Sequence, residues 1–322
     1  RLCAGGKNLM TSIGLMIEGQ IGLTWERWQR LLRAAEDLGF QCVFRSDHFT
    51  NPEPPDLESL EAWVSLTYAA TATSDIEFGT LVSPITFRHP SMLVRTAAAI
   101  DDLSAGRLVF GLGIGWQDRE HHNYGIPFPD RDTRYEMLTD ALEITTRLLT
   151  QEKPVNYTGK HYSLHDAVLL PRPQRPGGPP VMIGGNGPKR TLPLAAEYAD
   201  EWNGVFLDPD SYRQRNEELD RLLSERMRAP GEVKRSLMTQ INYGTSEQDW
   251  QQIKAERNIG DTPNPATING TAAMVVDQIG AYVDAGVERF MLQWIQLDDL
   301  DRLESLAQTV LPHFHKQARV SS

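Results

Sequence analysis

Two hydrophobic patterns alternate along the chain. Short runs in which almost every residue is apolar are typical of buried strands, and longer stretches with an apolar residue at every third or fourth position are typical of amphipathic helices. The strand-like runs cover residues 11–17, 42–44, 76–82, 107–112, 181–183, 201–206, 236–243 and 289–294. The helical stretches cover residues 25–38, 58–73, 92–103, 134–149, 188–198, 212–223, 271–285 and 300–310.

Eight alternations of strand and helix predict an α/β fold in which helices cover a parallel sheet. Eight is also the number of strands that closes a (β/α)8 TIM barrel, which is the predicted fold. A doubly wound open sheet is the alternative, because strands six and seven have weakly marked boundaries. The long connection after strand 4 contains a predicted hairpin at 155–162 and a proline-rich segment at 171–180, so an insertion is expected at about 150–180.

The pattern predicts one barrel domain at residues 11–315, with a tag or disordered start at 1–10 and a C-terminal tail at 316–322. Residues 1–10 lack the apolar segment of a signal peptide, and Met10 is a plausible initiator. Cys3 and Cys42 are too few for a disulfide framework, and Cys42 lies in an apolar strand, where a buried thiol is expected. We therefore expect a cytoplasmic, reducing setting.

The charge balance narrows the class of partner. Lys and Arg number 32 and Asp and Glu number 43, for a net charge of −11. An acidic chain without a basic cluster is a poor ligand for nucleic acid or an anionic membrane surface. No apolar run approaches the roughly 18 residues of a membrane helix. A small-molecule substrate is the expected partner, with no nucleic acid and no membrane.

A glycine-rich turn follows the fifth strand. The apolar residues 181–183 lead into Gly184, Gly185, Asn186 and Gly187, and Pro188 is predicted to open the next helix. Glycine allows a sharp turn and a close approach of backbone to a ligand. The free amides and partial positive charge of a helix start bind phosphate. The turn therefore predicts a phosphate site; an ordinary strand-to-helix turn is the alternative.

The carboxyl ends of barrel strands collect at one mouth, where such enzymes carry their active sites. Apart from the glycine turn, the sequence predicts that this mouth holds Glu18, Asp47, His48, Val82, Trp116, Asn203, Asn242 and Trp294. Trp116 and Trp294 are the tryptophans expected to line a pocket.

His48 is the predicted acid/base residue, because the ordinary pKa of histidine lies close to neutrality. Asp47 precedes it but need not touch it, since neighbouring side chains on a strand point in opposite directions. A histidine that merely ends in a loop is the alternative. Two interpretations of Arg88 stay open: it holds an anionic group, or it simply leads into the next helix.

Two other motifs suggest ligands less strongly. Adjacent His121 and His122 after Glu120 do not share a helix face and lack a third ligand, so we expect a solvated segment and no metal site. The glycines of segment 111–116 suggest a dinucleotide motif, but Trp116 occupies its sixth place and the context differs. Tight packing at the rim is the alternative, with this edge passing close to a flat ring.

The order of several motifs along the chain is specific. They are SDHF at 46–49, RHP at 88–90, LSAGR at 103–107, GIGW at 113–116, GGNG at 184–187 and YADEWN at 198–203. Together they resemble the bacterial luciferase-like family of flavin and deazaflavin oxidoreductases, over about residues 13–311. The resemblance implies a (β/α)8 barrel with an insertion after strand 4, a homodimer, and a flavin-type ring at the strand carboxyl ends with its phosphate on the strand-five turn.

Within that family, the Ser-Asp-His motif resembles the coenzyme F420 (deazaflavin) branch. The resemblance implies that Asp47 lies near the ring and that His48 is the active-site acid/base. It also implies a non-proline cis peptide at Leu81–Val82, against the ring. The other residues that it places beside the ring are Ile114, Gly115 and Trp116.

Three functions follow from the resemblance. The first is hydride transfer between coenzyme F420 and a small organic substrate, with His48 as acid/base and with Glu18 and Trp294 facing the substrate. The second is an FMN-dependent monooxygenase that uses reduced flavin and O2, because the FMN branch shares most motifs. The third is a flavin-binding barrel without turnover. Sugar-phosphate dehydrogenases of the family carry glutamate at the position of Trp116, so a more apolar substrate is expected.

Overall fold

The computed structural model describes residues 11–314, so the predicted start at 1–10 and tail at 316–322 lie outside the described residues. Within this range the strands are β1 Ser12–Ile17, β2 Cys42–Arg45, β3 Glu77–Thr80, β4 Ser83–Pro84, β5 Leu108–Gly113, β6 Val155–Thr158, β7 Ser163–Ala167, β8 Val181–Gly184, β9 Glu201–Val205, β10 Lys234–Tyr243, β11 Ile268–Gly270 and β12 Arg289–Gln293. The α-helices are α1 Trp25–Asp37, α2 Ala62–Ala72, α3 Pro90–Leu103, α4 Asp118–Tyr124, α5 Arg131–Thr150, α6 Thr191–Tyr198, α7 Pro209–Glu225, α8 Glu247–Glu256, α9 Ala272–Asp284 and α10 Leu300–Val310.

Eight parallel strands form a closed barrel. Their order around the ring is β1, β2, β3, β5, β8, β9, β10 and β12, and β12 pairs with β1 to close it. The structure therefore confirms the predicted (β/α)8 TIM barrel and excludes the open sheet. The short strands β4 and β11 pair with the ends of β5 and β10.

The alternation of side chains along the strands creates two hydrophobic cores. The larger core packs between the strands and the surrounding helices. The smaller core fills the barrel interior and is rich in methionine, whose flexible side chain fits irregular spaces. It consists of Met16, Cys42, Phe44, Leu81, Val109, Met182, Met238 and Met291. Cys42 is the buried free thiol expected from the sequence.

An ion cluster lies at the floor of the barrel, with Arg289 and Glu201 buried and the Glu77 side chain partly exposed. Glu77, Glu201 and Arg289 are the first residues of β3, β9 and β12. The Arg289 guanidinium lies 2.5 Å from a Glu77 carboxylate oxygen and 3.2 Å from a Glu201 carboxylate oxygen. We call these three residues the floor cluster.

The long connection between β5 and β8 carries α4, α5 and the antiparallel hairpin β6–β7. The hairpin is present where the sequence predicts one, and it extends to residue 167. Asp140 of α5 accepts hydrogen bonds from the Tyr157 hydroxyl (2.8 Å) and from the His161 amide (2.7 Å). A Cβ atom at Gly159 would lie 2.4 Å from the Asp140 carboxylate, so glycine is required at this turn.

The predicted start of the helix after β8 is wrong. The helix after β8 begins at Thr191 and not at Pro188, because residues 188–190 form a turn. The Leu192 amide donates to the Gly187 carbonyl (3.0 Å), which is a wider ring than that of an α-helix. None of the helices within residues 11–314 combines the length and hydrophobicity needed to cross a bilayer.

Candidate active site

A cavity of about 980 Å³ opens at the carboxyl ends of the barrel strands. Most of the predicted site residues line it, namely Glu18, His48, Leu81, Val82, Ile114, Gly115, Trp116, Gly184, Gly185, Asn186 and Gly187. Asp47 and Trp294 do not line it. Its size lies at the upper end of the range for small-molecule sites, which suits a cofactor and a substrate together.

Trp294 faces away from the cavity. The side chains of β12 alternate, so Met291 belongs to the interior core and Leu292 to the outer core. Trp294, two residues after Leu292, lies on the same outer side. Trp294 is 1% exposed, and its indole N–H donates to the Gln296 carbonyl (2.9 Å). The predicted contact of Trp294 with substrate does not fit this position. Gln293 lines the cavity instead, and strand alternation would have predicted it.

His48 is hydrogen-bonded to a carboxylate that the sequence did not point to. The Nδ1 atom of His48 lies 2.8 Å from Oε1 of Glu120 in α4. The other Glu120 oxygen accepts the Phe49 amide (2.9 Å), and the Glu120 side chain is fully buried. Because a carboxylate accepts, Nδ1 carries the proton. In neutral His48, Nε2 is then the atom that can take a proton.

The surroundings of His48 favour its protonated form. Burial opposes the charge, but the hydrogen bond and the charge of Glu120, together with the charges of Glu18 and Asp47, raise the pKa of His48 above its ordinary value. The edge-to-face ring of Trp116 lies 5.5 Å from the imidazole. His48 therefore titrates at a higher pH than a free histidine.

The prediction of a solvated segment at 120–122 is wrong for two of its residues. Glu120 and His121 are buried, and His122 is exposed. The His121 Nδ1–H donates to the Gln117 carbonyl (2.7 Å), and Nε2 lies 2.6 Å from the Thr86 hydroxyl. Burial lowers the pKa of His121, so its ring is a neutral structural group. Within residues 11–314, no group of three or more His, Cys, Asp or Glu side chains could hold a metal ion.

Asp47 lies behind the cavity wall, where it anchors a neighbouring segment. Its carboxylate accepts the Ser83 hydroxyl (2.7 Å) and the Arg88 guanidinium (2.5 Å). Arg88 also pairs with Glu61. The Arg88 guanidinium is therefore paired with carboxylates of the protein itself, and this decides against the interpretation that it holds an anionic ligand. Asp47 supports Ser83 and, through it, the adjacent Val82.

The Leu81–Val82 peptide bond is cis, as the resemblance implies. The Val82 side chain lies against the ends of β5 and β8, where glycine leaves room for it. A Cβ atom at Gly113 would lie 2.5 Å from Val82, and one at Gly184 would lie 3.1 Å from it. The strand ends and Val82 thus form one compact wall of the cavity.

The glycine turn is held firmly to the neighbouring strand β9. The Asn186 side chain donates to the Val205 carbonyl (2.7 Å) and accepts the Val205 amide (2.9 Å). The Gly185 amide donates to the Asn203 carbonyl (2.9 Å). Beyond it, the amides of Asn186, Gly187, Lys189, Arg190 and Thr191 find no acceptor within residues 11–314.

Helix α5 borders the same end of the cavity. The Tyr135 hydroxyl contacts the Thr191 hydroxyl (3.0 Å), and both residues line the cavity with Arg131 and Arg134. The sequence carries no signal for these four, because residues distant along the chain meet here. Free amides, hydroxyls and the Arg131 guanidinium together make this end suitable for an anion.

This chain is similar to one protein family and to several named relatives. A family model described as luciferase-like monooxygenase matches residues 9–263. The F420-dependent glucose-6-phosphate dehydrogenase of Kineococcus radiotolerans is 32% identical over 155 residues, which cover 48% of this chain and 45% of that protein. The F420-dependent hydroxymycolic acid dehydrogenase of Mycobacterium tuberculosis is 30% identical over 171 residues, or 53% and 46%. The chain thus spans about half the length of these curated relatives.

Solved structures share the fold over nearly the whole chain. The coenzyme F420 dependent tetrahydromethanopterin reductase of Methanopyrus kandleri has a TM-score of 0.80 at 22% identity, covering 95% of this chain and 99% of that chain. The EDTA monooxygenase of Chelativorans has a TM-score of 0.80 at 17% identity, covering 95% and 93%. At these identities the likeness shows the barrel fold alone.

Proposed function

Since this chain belongs to the luciferase-like monooxygenase family, we propose that it is an oxidoreductase that transfers a hydride between coenzyme F420 and a small organic substrate. The observation that carries the proposal is that His48, paired with the buried Glu120, lines the same cavity as a turn of unpartnered amides. Relatives whose names include F420 dependence support this cofactor. The family likeness further suggests a homodimer, which light scattering would test.

The residues fit such a cofactor. The unpartnered amides of Asn186, Gly187, Lys189, Arg190 and Thr191, the hydroxyl of Thr191 and the guanidinium of Arg131 would hold its phosphate. Leu81, Val82, Ile114, Gly115 and Trp116 would border the ring, and the glycines of the strand ends leave space for it. Asp47 would act indirectly, by fixing Ser83 beside Val82.

His48 would handle the proton. When bound, coenzyme F420 supplies a hydride acceptor or donor, and the protein supplies orientation and electrostatics. In alcohol oxidation, Nε2 of His48 takes the hydroxyl proton as the C–H hydride and its two electrons leave carbon, so that a C=O bond forms. In carbonyl reduction, the imidazolium returns that proton to oxygen. Glu120 holds Nδ1 and stabilises the imidazolium in both directions.

An FMN-dependent monooxygenase is the second candidate, because EDTA monooxygenase shares the barrel and the phosphate turn would serve FMN equally. Titration of the cofactor-free protein with F420 and with FMN, followed by fluorescence quenching, separates the two. We expect tighter binding of F420. Tighter binding of FMN, with oxygen consumption in the presence of reduced FMN, would contradict the proposal. A barrel without turnover predicts that H48A changes neither cofactor affinity nor any measurable activity.

A further inference from the structure

The arginines and the glutamate that line the cavity belong to different elements. Arg131 and Arg134 are both in α5. The Arg131 guanidinium lies 5.8 Å from the Tyr135 ring centre, and the Tyr135 hydroxyl contacts Thr191 beside the glycine turn. These contacts locate the Arg131 charge at the end of the cavity that suits a phosphate.

The charge of Arg134 is used by the protein itself. Its guanidinium donates to the carbonyls of Pro129 (3.1 Å), Ile114 (3.4 Å) and Gly115, and it stacks on Phe128 at 3.9 Å. Burial lowers the pKa of Arg134. The Arg134 guanidinium therefore connects α5 to the end of β5, and it has little hydrogen-bonding capacity left for an anionic ligand.

The wall formed by the ends of β1 and β12 carries the opposite charge. The Glu18 carboxylate accepts hydrogen bonds from the side-chain amides of Gln293 (2.7 Å) and Gln20 (2.9 Å). Within residues 11–314 no ion pair joins Glu18 directly to a Lys, Arg or His side chain, although its charge acts on His48 and Arg45. The direct hydrogen-bond partners of Glu18 are therefore neutral side-chain amides.

The orientation of this wall is fixed from behind. The Gln20 amide oxygen accepts the Ser46 hydroxyl (2.8 Å), and the Ser46 oxygen accepts the Gly19 amide (2.8 Å). Gln20 must therefore present its NH2 group, and not its oxygen, to Glu18. The network leaves Glu18 as an acceptor for donors on a ligand and as a repulsive group for anions.

An apolar platform lies next to the acid/base residue. Trp116 is 62% exposed, and its ring lies edge-to-face against His48. Exposed aromatic surface at the rim of a cavity favours a ligand with one apolar face.

From these placements we infer that the substrate is an uncharged hydroxylated compound with one apolar face, such as a free sugar or a cyclic polyol, and that Glu18 is its specificity-determining residue. One substrate hydroxyl reacts at His48, a second donates to Glu18, and the apolar face packs on Trp116. Phosphorylated or carboxylated counterparts are rejected, because their charge would be repelled by Glu18 while His48 is engaged with the reacting hydroxyl. The inference rests on the proposed hydride transfer and narrows its substrate.

The test uses pairs of compounds that differ only in charge, such as glucose with glucose 6-phosphate and inositol with inositol phosphate. Binding to the full chain is measured by tryptophan fluorescence and thermal shift, with and without F420. The neutral member should bind about ten-fold or more tightly than its anionic counterpart, and E18Q should reduce that ratio several-fold. E217Q, which removes one exposed carboxylate of α7, a helix that contributes no residue to the cavity lining, should leave the ratio unchanged.

R131Q separates this inference from the proposed function. It should weaken F420 binding and leave the ratio between neutral and anionic compounds intact. Preference for the anionic member, an unchanged ratio in E18Q, or no binding of any neutral member would overturn the inference. If F420 itself does not bind, the proposed function fails, and the fluorescence and thermal-shift ratios measured without F420 still judge the role of Glu18.

Discussion

The two ends of the barrel interior both bury charged side chains, but they use them differently. In the floor cluster, Arg289 pairs with Glu77 and Glu201, so each of these charges has an opposite charge beside it within the protein. At the mouth, Glu120 satisfies only one nitrogen of His48, and the imidazole borders an open cavity. The contrast indicates that the floor contributes to stability and the mouth to chemistry, a division that is general for this fold.

Removing the imidazole at the mouth should have the largest effect. H48A should lower the rate of hydride transfer by about 10²- to 10⁴-fold, the usual contribution of a general acid or base. The affinity for F420 should change little, because His48 is assigned to the proton and not to the phosphate. Stopped-flow reduction of bound coenzyme measures the first quantity, and fluorescence titration measures the second. A rate close to that of the wild type would remove His48 from the mechanism.

Breaking the floor cluster should unfold the protein more readily without altering its chemistry. R289M leaves Glu201 buried without its cation, which costs about 3–5 kcal/mol in comparable buried pairs. Denaturant unfolding measures the loss, and R213Q, which removes an exposed ion pair of α7, is the matched control with little expected change. Well below its melting temperature, folded R289M should bind F420 like the wild type. A selective loss of coenzyme binding would contradict the division between floor and mouth.

The Glu120 carboxylate should set the pH dependence at the mouth. Its charge and hydrogen bond raise the pKa of His48, and E120Q should lower that pKa. Alcohol oxidation needs neutral His48, so kcat/KM should rise with pH through this pKa, and the rise should move to lower pH in E120Q. For carbonyl reduction, the fall in rate with increasing pH should move in the same direction. An unshifted profile would indicate that another group titrates.

The glycine turn should respond to the loss of its anchor. N186A removes both hydrogen bonds to Val205, which together are worth about 1–3 kcal/mol, so F420 affinity should fall by about ten-fold. N156A removes a similar pair of bonds to Asp166 in the hairpin and is the control. If the two variants bind F420 equally well, the turn does not hold the phosphate.

The smallest effect is expected behind the wall at Asp47. D47N keeps the shape of the side chain but weakens the pair with Arg88, while the Ser83 hydroxyl can still donate to the remaining oxygen. F420 affinity should fall by only a few-fold, since the change acts through Val82. A loss as large as that of H48A would mean that Asp47 takes part in the chemistry directly.

Much of the fold follows from patterns that are local in sequence. Apolar runs at strand spacing predicted all eight barrel strands, and strand alternation explains why Met16 and Met291 face inward. Applied to β12, the same alternation predicts that Gln293, and not Trp294, lines the cavity. The helix start at Thr191 escapes this reasoning, because Pro188 fits the pattern of a first helical residue although residues 188–190 form a turn.

The parts of the site that escaped prediction depend on contacts between distant segments. Glu120 meets His48 across 72 residues, and Tyr135 meets Thr191 across 56. Only the folded connection after β5 brings these partners together. Nothing in the local sequence marks Glu120 as buried, because its neighbours in α4 are polar.

The most direct test of the account is the single-turnover rate of hydride transfer with F420 already bound, compared among the wild type, H48A and R289M under conditions in which all three are folded. The account predicts that the wild type and R289M reduce the coenzyme at similar rates and that H48A is slower by about 10²-fold or more. Equal rates in the wild type and H48A, or a slow R289M, would contradict it.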